Sequence, residues 1–129
     1  MNALLDTSVL LWWLSNTAAI PAPLLAELSE DESVVLFSQV SLLEIQIKVQ
    51  IGKLRLDFPV EGIPARAEQS GLTPLDLSNA AIFTLSKLPA IHRDPFDRLL
   101  ICEAIQQGVV LVTPDATIHR YPIRARWDA

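Results

Sequence analysis

The stretch Asn2-Ala3-Leu4-Leu5, followed directly by Asp6, decides the fold. A short and mostly apolar run of this kind is typical of a strand that is buried on both faces of a parallel sheet. Two further runs, Val34 to Ser38 and Val109 to Thr113, have the same apolar and β-branched character, and helical patterns separate the three runs. Strands that alternate with helices predict an α/β fold. We expect a three-layer α/β/α sandwich around a small, mostly parallel sheet.

The rest of the chain divides into helices and short edge strands. Proline near the start and glycine just past the end are typical of helices, as at Pro95 and Gly108. No repeat, low-complexity tract or linker interrupts the pattern, so residues 1–129 are predicted to form one domain. Helices are predicted at residues 7–15, 21–31, 41–51, 65–70, 78–89 and 94–108, and further strands at 72–75 and 123–127.

Composition limits the classes of function. The 10 basic and 15 acidic residues give a net charge of −5, which argues against a protein that holds nucleic acid by bulk electrostatics. A nuclease remains compatible, because bound metal would reverse the sign of a carboxylate site. The longest apolar run, Val9 to Leu14, is far shorter than the roughly 20 residues that span a bilayer. The lone Cys102 and the lack of a secretion signal predict a cytoplasmic protein that does not contact membranes.

Four acidic residues stand where a predicted strand ends or a predicted helix begins: Asp6, Glu44, Asp97 and Asp115. In an open α/β sheet the carboxyl ends of the strands and the adjacent helix starts border one crevice, where ligands bind. Clustered carboxylates repel one another unless a cation neutralises them, and Mg²⁺ prefers carboxylate oxygen ligands. The placement therefore predicts a metal site suited to phosphate chemistry.

The first two acids also have structural interpretations. Asp6 can serve as the N-cap of the helix that follows it. Glu44 lies three residues after Ser41, which is the spacing of a capping box. Lys48, one turn beyond Glu44, can pair with that carboxylate or reach a phosphate group.

The other two acids, Asp97 and Asp115, have structural interpretations as well. Asp94 precedes Pro95 and is expected to be an N-cap, which leaves Asp97 on the first helical turn, free to face the crevice. The alternative for Asp97 is a favourable charge on the helix dipole. Asp115 follows the strand that ends at Thr113, and its alternative is an acid in a turn.

Six segments, spread through nearly the whole chain, match the sequence pattern of one protein family. The block His-Arg-Asp-Pro-Phe-Asp-Arg is the most specific of them. The set consists of Leu-Leu-Asp-Thr-Ser-Val-Leu-Leu-Trp-Trp from Leu4, Ser-Leu-Leu-Glu-Ile-Gln-Ile-Lys from Ser41, Gly-Lys-Leu from Gly52, Leu-Pro-Ala-Ile-His-Arg-Asp-Pro-Phe-Asp-Arg-Leu-Leu-Ile from Leu88, Leu-Val-Thr-Pro-Asp from Leu111, and Tyr121-Pro122. With these segments the chain resembles PIN-domain ribonucleases, specifically VapC-type toxins of bacterial toxin–antitoxin pairs.

This resemblance implies a PIN-like fold, Mg²⁺ or Mn²⁺ as cofactor, endonucleolytic cleavage of RNA, a homodimer, and inhibition by a cognate antitoxin. It makes Thr113 a supporting polar residue and Asp94 an auxiliary acid or a helix cap. Among the metal-binding acids, direct contact is expected for three and contact through a water for Glu44. The three are Asp6, Asp97 and Asp115.

Basic residues near these segments are candidate contacts for the RNA backbone, although each is equally typical of a solvated surface. They are Arg93, Arg98, Lys48 and Lys53. Two alternatives remain: a catalytically silent PIN-like module that binds partners, or a metal-dependent DNA nuclease or phosphatase. Dehalogenase-type phosphatases need a second aspartate two residues after the first, where this chain has Ser8. The sequence leaves open the RNA target and the choice between one metal and two.

Overall fold

Five strands form a single parallel sheet in the computed structural model, which describes residues 1–127. Their order across the sheet is β3-β2-β1-β4-β5, and every neighbouring pair is parallel. The first strand of the chain therefore lies at the centre, as its apolar character on both faces predicts. The strands are β1 (Asn2–Leu5), β2 (Val34–Ser38), β3 (Thr73–Leu75), β4 (Val110–Val112) and β5 (Ala125–Arg126).

Six α-helices connect these strands, each close to a predicted position. The second ends at Leu28 instead of near Asp31, and the fifth ends at Thr84, where a 3₁₀ turn (Leu85–Lys87) continues the chain. None of the helices within residues 1–127 has the length and apolar character needed to span a membrane. The helices are α1 (Thr7–Ser15), α2 (Ala22–Leu28), α3 (Gln39–Gln50), α4 (Ile63–Gln69), α5 (Asn79–Thr84) and α6 (Pro95–Gln107).

Hydrophobic cores lie on both faces of the sheet. Successive side chains of a strand point to opposite faces, and Ala3 and Leu5 accordingly lie in one core while Leu4 lies in the other. Helices α1 to α4 contribute buried side chains to the first core, and α6 covers the second with Leu100 and Ile101. The predicted three-layer α/β/α sandwich is confirmed, and its sheet is parallel throughout.

The start of α3 differs from the prediction. Ser38, the last residue of β2, accepts a hydrogen bond from the N–H of Val40 and caps a helix that begins at Gln39. The capping box predicted for Ser41 and Glu44 is therefore wrong, because both residues lie inside the helix. The strand passes directly into the helix, so the cap falls on the final strand residue instead of three residues later.

Pairing of β1 with β4 fixes the edge of the sheet where the predicted site lies. Leu5 is in register with Val112, and the backbone N–H of Asp6 donates to the carbonyl of Val112 at 3.0 Å. The two strands therefore end side by side. Asp6 leaves one strand end and Thr113 leaves the other, at the same edge of the sheet.

Candidate active site

Asp6 is a helix cap and a buried acid at the same time. One carboxylate oxygen accepts from the N–H of Val9 at 2.9 Å and caps α1, while the other accepts from Thr113 Oγ1 at 2.5 Å. The side chain is only 6% exposed. Burial raises the pKa of Asp6 to about 6, and the negative charges of Glu44 and Asp115 add to the rise. The cap alternative and a functional role are thus compatible in one residue.

Glu44 projects from the second turn of α3 and is almost fully buried. Its Oε1 accepts from Thr7 Oγ1 at 2.6 Å, and its Oε2 accepts from Lys48 Nζ at 2.5 Å. The same Thr7 hydroxyl lies 2.9 Å from Ser41 Oγ, so α1 and α3 are tied together beside this carboxylate. The hydrogen bond to Glu44 raises the pKa of Lys48.

Asp97 lies on the first turn of α6 with its carboxylate partly buried. Asp94 caps this helix through its Oδ1, which accepts from the N–H groups of Phe96 at 2.8 Å and Asp97 at 3.3 Å. Burial raises the pKa of Asp97 to about 7, and the nearby charge of Asp94 contributes next. The geometry therefore matches the roles predicted for the two residues: Asp94 caps the helix, and the carboxylate of Asp97 is not used as a cap.

Asp115 is held in a turn just beyond β4. Its backbone N–H donates to Thr113 Oγ1 at 3.0 Å, and its Oδ1 accepts from the N–H of Thr117 at 2.8 Å. Its Oδ2 lies 3.0 Å from His92 Nε2. Burial acts to raise the pKa of Asp115, but the hydrogen bonds from His92 and Thr117 outweigh it and lower the pKa.

The four predicted acids come from four different elements and meet at one edge of the sheet. The charges of Glu44 and Asp6 help to raise the pKa of Asp97, and those of Glu44 and Asp115 help to raise that of Asp6. The closest grouping holds Asp97 and Asp115 with His92, whose ligand atoms all lie within 4.8 Å of one another. Asp6 and Glu44 lie outside that group. Carboxylate oxygens gathered at one place, whose charges help to raise the pKa of Asp6 and of Asp97, fit a hard divalent cation.

His92 is the site residue that sequence reasoning missed. Its Nε2 lies 3.0 Å from Oδ2 of Asp97 and 3.0 Å from Oδ2 of Asp115. The histidine stands in the loop just before the Asp94-Pro95 helix start, within the most charged block of the chain. Its place in this block, beside the predicted crevice, could have identified His92 as a candidate site residue.

The predicted substrate-binding cations have different surroundings. The guanidinium of Arg98 donates to the carbonyls of Pro89 at 3.0 Å and Leu85 at 3.2 Å, and to the hydroxyl of Tyr121 at 3.3 Å. This residue ties α6 to the preceding loop, so its predicted contact with substrate is not supported. Lys48 pairs with Glu44, as one of its two sequence interpretations predicts. The remaining two, Arg93 and Lys53, are exposed.

Solved structures with the same fold include three from VapBC complexes. VapBC2 of Rickettsia felis bound to a DNA fragment from its promoter matches with a TM-score of 0.73 and 20% identity, covering 99% of this chain and 100% of the other. DNA-bound VapBC of Salmonella typhimurium matches with a TM-score of 0.69 and 22% identity, covering 99% of both chains. VapBC-1 of nontypeable Haemophilus influenzae matches with a TM-score of 0.69 and 18% identity, covering 98% of this chain and 97% of the other.

Among curated proteins, no sequence matches the chain. The family model of the PIN domain matches residues 3–123, which is nearly the whole length. That span includes β1 with Asp6, the acid-bearing turns of α3 and α6, and Asp115 beyond β4. The chain therefore belongs to the PIN domain family.

Proposed function

We propose that this protein is a Mg²⁺-dependent endoribonuclease that acts as the toxin of a type II toxin–antitoxin pair. The observation that carries the proposal is the meeting of Asp6, Glu44, Asp97 and Asp115 at the carboxyl edge of a parallel sheet. Ligand sites of open α/β folds lie at this edge. Membership of the PIN domain family supports the assignment of the edge as a nuclease site.

The acids divide by their surroundings into direct and indirect roles. Asp6, Asp97 and Asp115 are proposed to bind Mg²⁺ or Mn²⁺ directly, each with lone pairs that its hydrogen bonds leave free. Glu44 is paired with Lys48, whose ammonium group competes with a metal for Oε2, and this fits contact through a water. When bound, the cation would activate water and stabilise the charge that develops on the phosphate. Thr113 orients Asp6 and Asp115 by bonding to both.

A cognate antitoxin and a second copy of the chain are the proposed protein partners. Proteins of the same fold have been solved as VapBC complexes, at identities of 18–22%. Exposed apolar side chains support docking of a partner: Leu43, Ile47 and Ile51 recur every four residues on and just past α3, and Phe83 on α5 is 70% exposed. A cytoplasmic location follows from the same proposal.

RNA cleavage by purified variants tests the catalytic assignment. Asp97→Asn preserves size while removing one charge, and we expect it to lower Mg²⁺-dependent cleavage by about 100-fold or more. Asp31→Asn is the matched control, because Asp31 is an exposed acid just before the amino end of β2, at the opposite edge of the sheet. It should cleave like the unchanged protein. Chelation of the metal by EDTA should abolish RNA cleavage by the unchanged protein and by Asp31→Asn.

The same experiment separates the alternatives. Full cleavage and growth arrest by Asp97→Asn would contradict the metal site. Cleavage of DNA but not RNA, or of a phosphomonoester alone, would support a DNA nuclease or a phosphatase. No activity on any substrate, together with tight binding of a partner, would support the silent module.

A further inference from the structure

The ring of His92 has a defined tautomer. Its Nδ1 accepts a hydrogen bond from the backbone N–H of Asp94 at 3.1 Å, so this nitrogen carries no proton. The ring proton therefore resides on Nε2, the atom that lies 3.0 Å from both Asp97 Oδ2 and Asp115 Oδ2. In this tautomer Nε2 presents a donor, not a lone pair, to the two carboxylates.

We propose that His92 is a positioning residue: its Nε2–H holds Asp115 by a hydrogen bond and lies 3.0 Å from Asp97 Oδ2, and the ring does not itself bind the cation. This inference rests on the proposed function, because it concerns the same metal site. Binding of a metal through Nε2 would require the proton to move to Nδ1. There it would face the N–H of Asp94, and two donors would oppose each other.

The carboxylates can serve His92 and a cation at once. Each carboxylate oxygen offers two lone-pair directions, so an Oδ2 that accepts from the imidazole keeps one direction for a metal. Asp115 is further fixed through its Oδ1, which accepts from Thr117 N–H. Such outer partners orient metal ligands, and their loss typically costs 10- to 100-fold in metal affinity.

The backbone around the imidazole is fixed as well. The N–H of His92 donates to the hydroxyl of Tyr121 at 2.8 Å, and Tyr121 is itself buried. Arg98 Nη1 lies 3.3 Å from the same hydroxyl and 3.5 Å from the carbonyl of His92. The ring therefore sits between Asp94 on one side and the two carboxylates on the other, on an anchored backbone. Rotating it to offer the other nitrogen would break the Asp94 hydrogen bond.

Long-range ¹H–¹⁵N correlation NMR reads this tautomer directly. The chain has only two histidines, so a His119→Gln variant assigns the signals. We expect the Nδ1 signal of His92 to be that of an unprotonated nitrogen and the Nε2 signal that of a protonated one, both before and after Mg²⁺ is added. A proton on Nδ1, or loss of the Nε2 proton when Mg²⁺ binds, would overturn the proposal.

Binding of Mn²⁺, followed by electron paramagnetic resonance, supplies the second measurement. His92→Gln places an amide donor near the position of Nε2 and should bind Mn²⁺ nearly as well as the unchanged protein. His92→Leu removes the donor and should bind about 10- to 100-fold more weakly. Coupling of Mn²⁺ to a ring nitrogen in the unchanged protein would identify His92 as a ligand and contradict the inference, as would equal losses in both variants.

Neither measurement depends on RNA cleavage. A protein that binds Mn²⁺ with the expected tautomer but cuts no RNA would retain the role of His92 and refute the nuclease. A protein that binds no Mn²⁺ would refute the metal site itself and with it the positioning role. Should His92→Leu fail to fold, the NMR spectra and the His92→Gln variant still decide the matter.

Discussion

Two buried glutamates on neighbouring helices have opposite surroundings. Glu44 on α3 is 4% exposed and Glu103 on α6 is 2% exposed, so burial does not distinguish them. Both oxygens of Glu44 accept hydrogen bonds, from Thr7 and from Lys48. Glu103 Oε1 accepts from Ser38 Oγ, while its Oε2 has no hydrogen-bond partner among the described residues. The hydrogen-bond partners distinguish the carboxylate at the candidate site from the carboxylate in the core.

The two glutamates also differ in the charged groups beside them. Lys48 places a positive charge beside Glu44, and the charge of Glu44 in turn contributes to the raised pKa of Asp6 and of Asp97. Around Glu103 no such cation is present in the described contacts, and burial raises its pKa to about 7. The hydrogen bond from Ser38 lowers that pKa only in part. Glu103, which lies between α6 and the end of β2, is therefore a neutral acid over much of the acidic pH range.

The largest expected effect is on the pH dependence of stability, and Glu103→Gln tests it. The folded protein keeps this proton up to about pH 7, whereas the unfolded chain releases it near 4.5. The stability that the protonated group contributes is fully present below pH 4.5 and is lost as the pH rises through 7. The loss amounts to about 3 kcal/mol, since one unit of pKa corresponds to about 1.4 kcal/mol. Glutamine cannot ionise and should not show it.

Urea unfolding of both proteins between pH 4.5 and 8.5 measures this effect. The other acids titrate in both proteins, so their contribution cancels in the difference between the two unfolding free energies. The unfolding free energy of Glu103→Gln, relative to that of the unchanged protein, should rise as the pH increases to 7 and be constant above pH 7. A difference that does not vary with pH would show that Glu103 is ionised in the folded protein, and the contrast with Glu44 would fail.

The second effect is on activity, and the same substitution at the other glutamate produces it. Glu44→Gln keeps the size of the side chain but removes the charge next to Asp6 and Asp97. We expect RNA cleavage at saturating Mg²⁺ to fall by about 10- to 100-fold, as is typical when a residue that contacts a metal site only through another group is replaced. Glu103→Gln is the matched control and should cleave normally at neutral pH. Equal losses in both variants would remove the distinction.

Much of the fold could be predicted from the sequence because its signals are local. The apolar run before Asp6 places β1 at the centre, and Asp94-Pro95 with Gly108 delimits α6 closely. The start of α3 was predicted wrongly, because Ser38 and Ser41 are both plausible caps by residue type. Only the hydrogen bond from the N–H of Val40 to Ser38 Oγ shows that Ser38 is the cap and that Ser41 lies inside the helix.

The site was less accessible to sequence reasoning, since its partners are distant along the chain. The four acids could be selected by their position at strand ends and helix starts, but His92 reaches Asp115 across 23 residues. Arg98 has the charge of a substrate contact, yet its donors turn back to carbonyls of its own chain. Residue type identifies which groups can do chemistry. Which of them face the crevice depends on hydrogen bonds that no local pattern encodes.

The smallest expected effect concerns the cation beside Glu44. Lys48→Met keeps much of the aliphatic stem and removes the charge, and because Lys48 is 43% exposed, solvent screening limits the stability cost to about 0.5 kcal/mol. Loss of a cation that competes for Glu44 Oε2 should also tighten Mg²⁺ binding, measured by calorimetry. RNA affinity should not change, and Lys87→Met, at an exposed lysine in the 3₁₀ turn after α5, is the control. Weaker RNA binding by Lys48→Met alone would instead mean that Lys48 leaves Glu44 to contact a phosphate. In that case Glu44 would lose the cation that distinguishes it from Glu103 whenever substrate is bound.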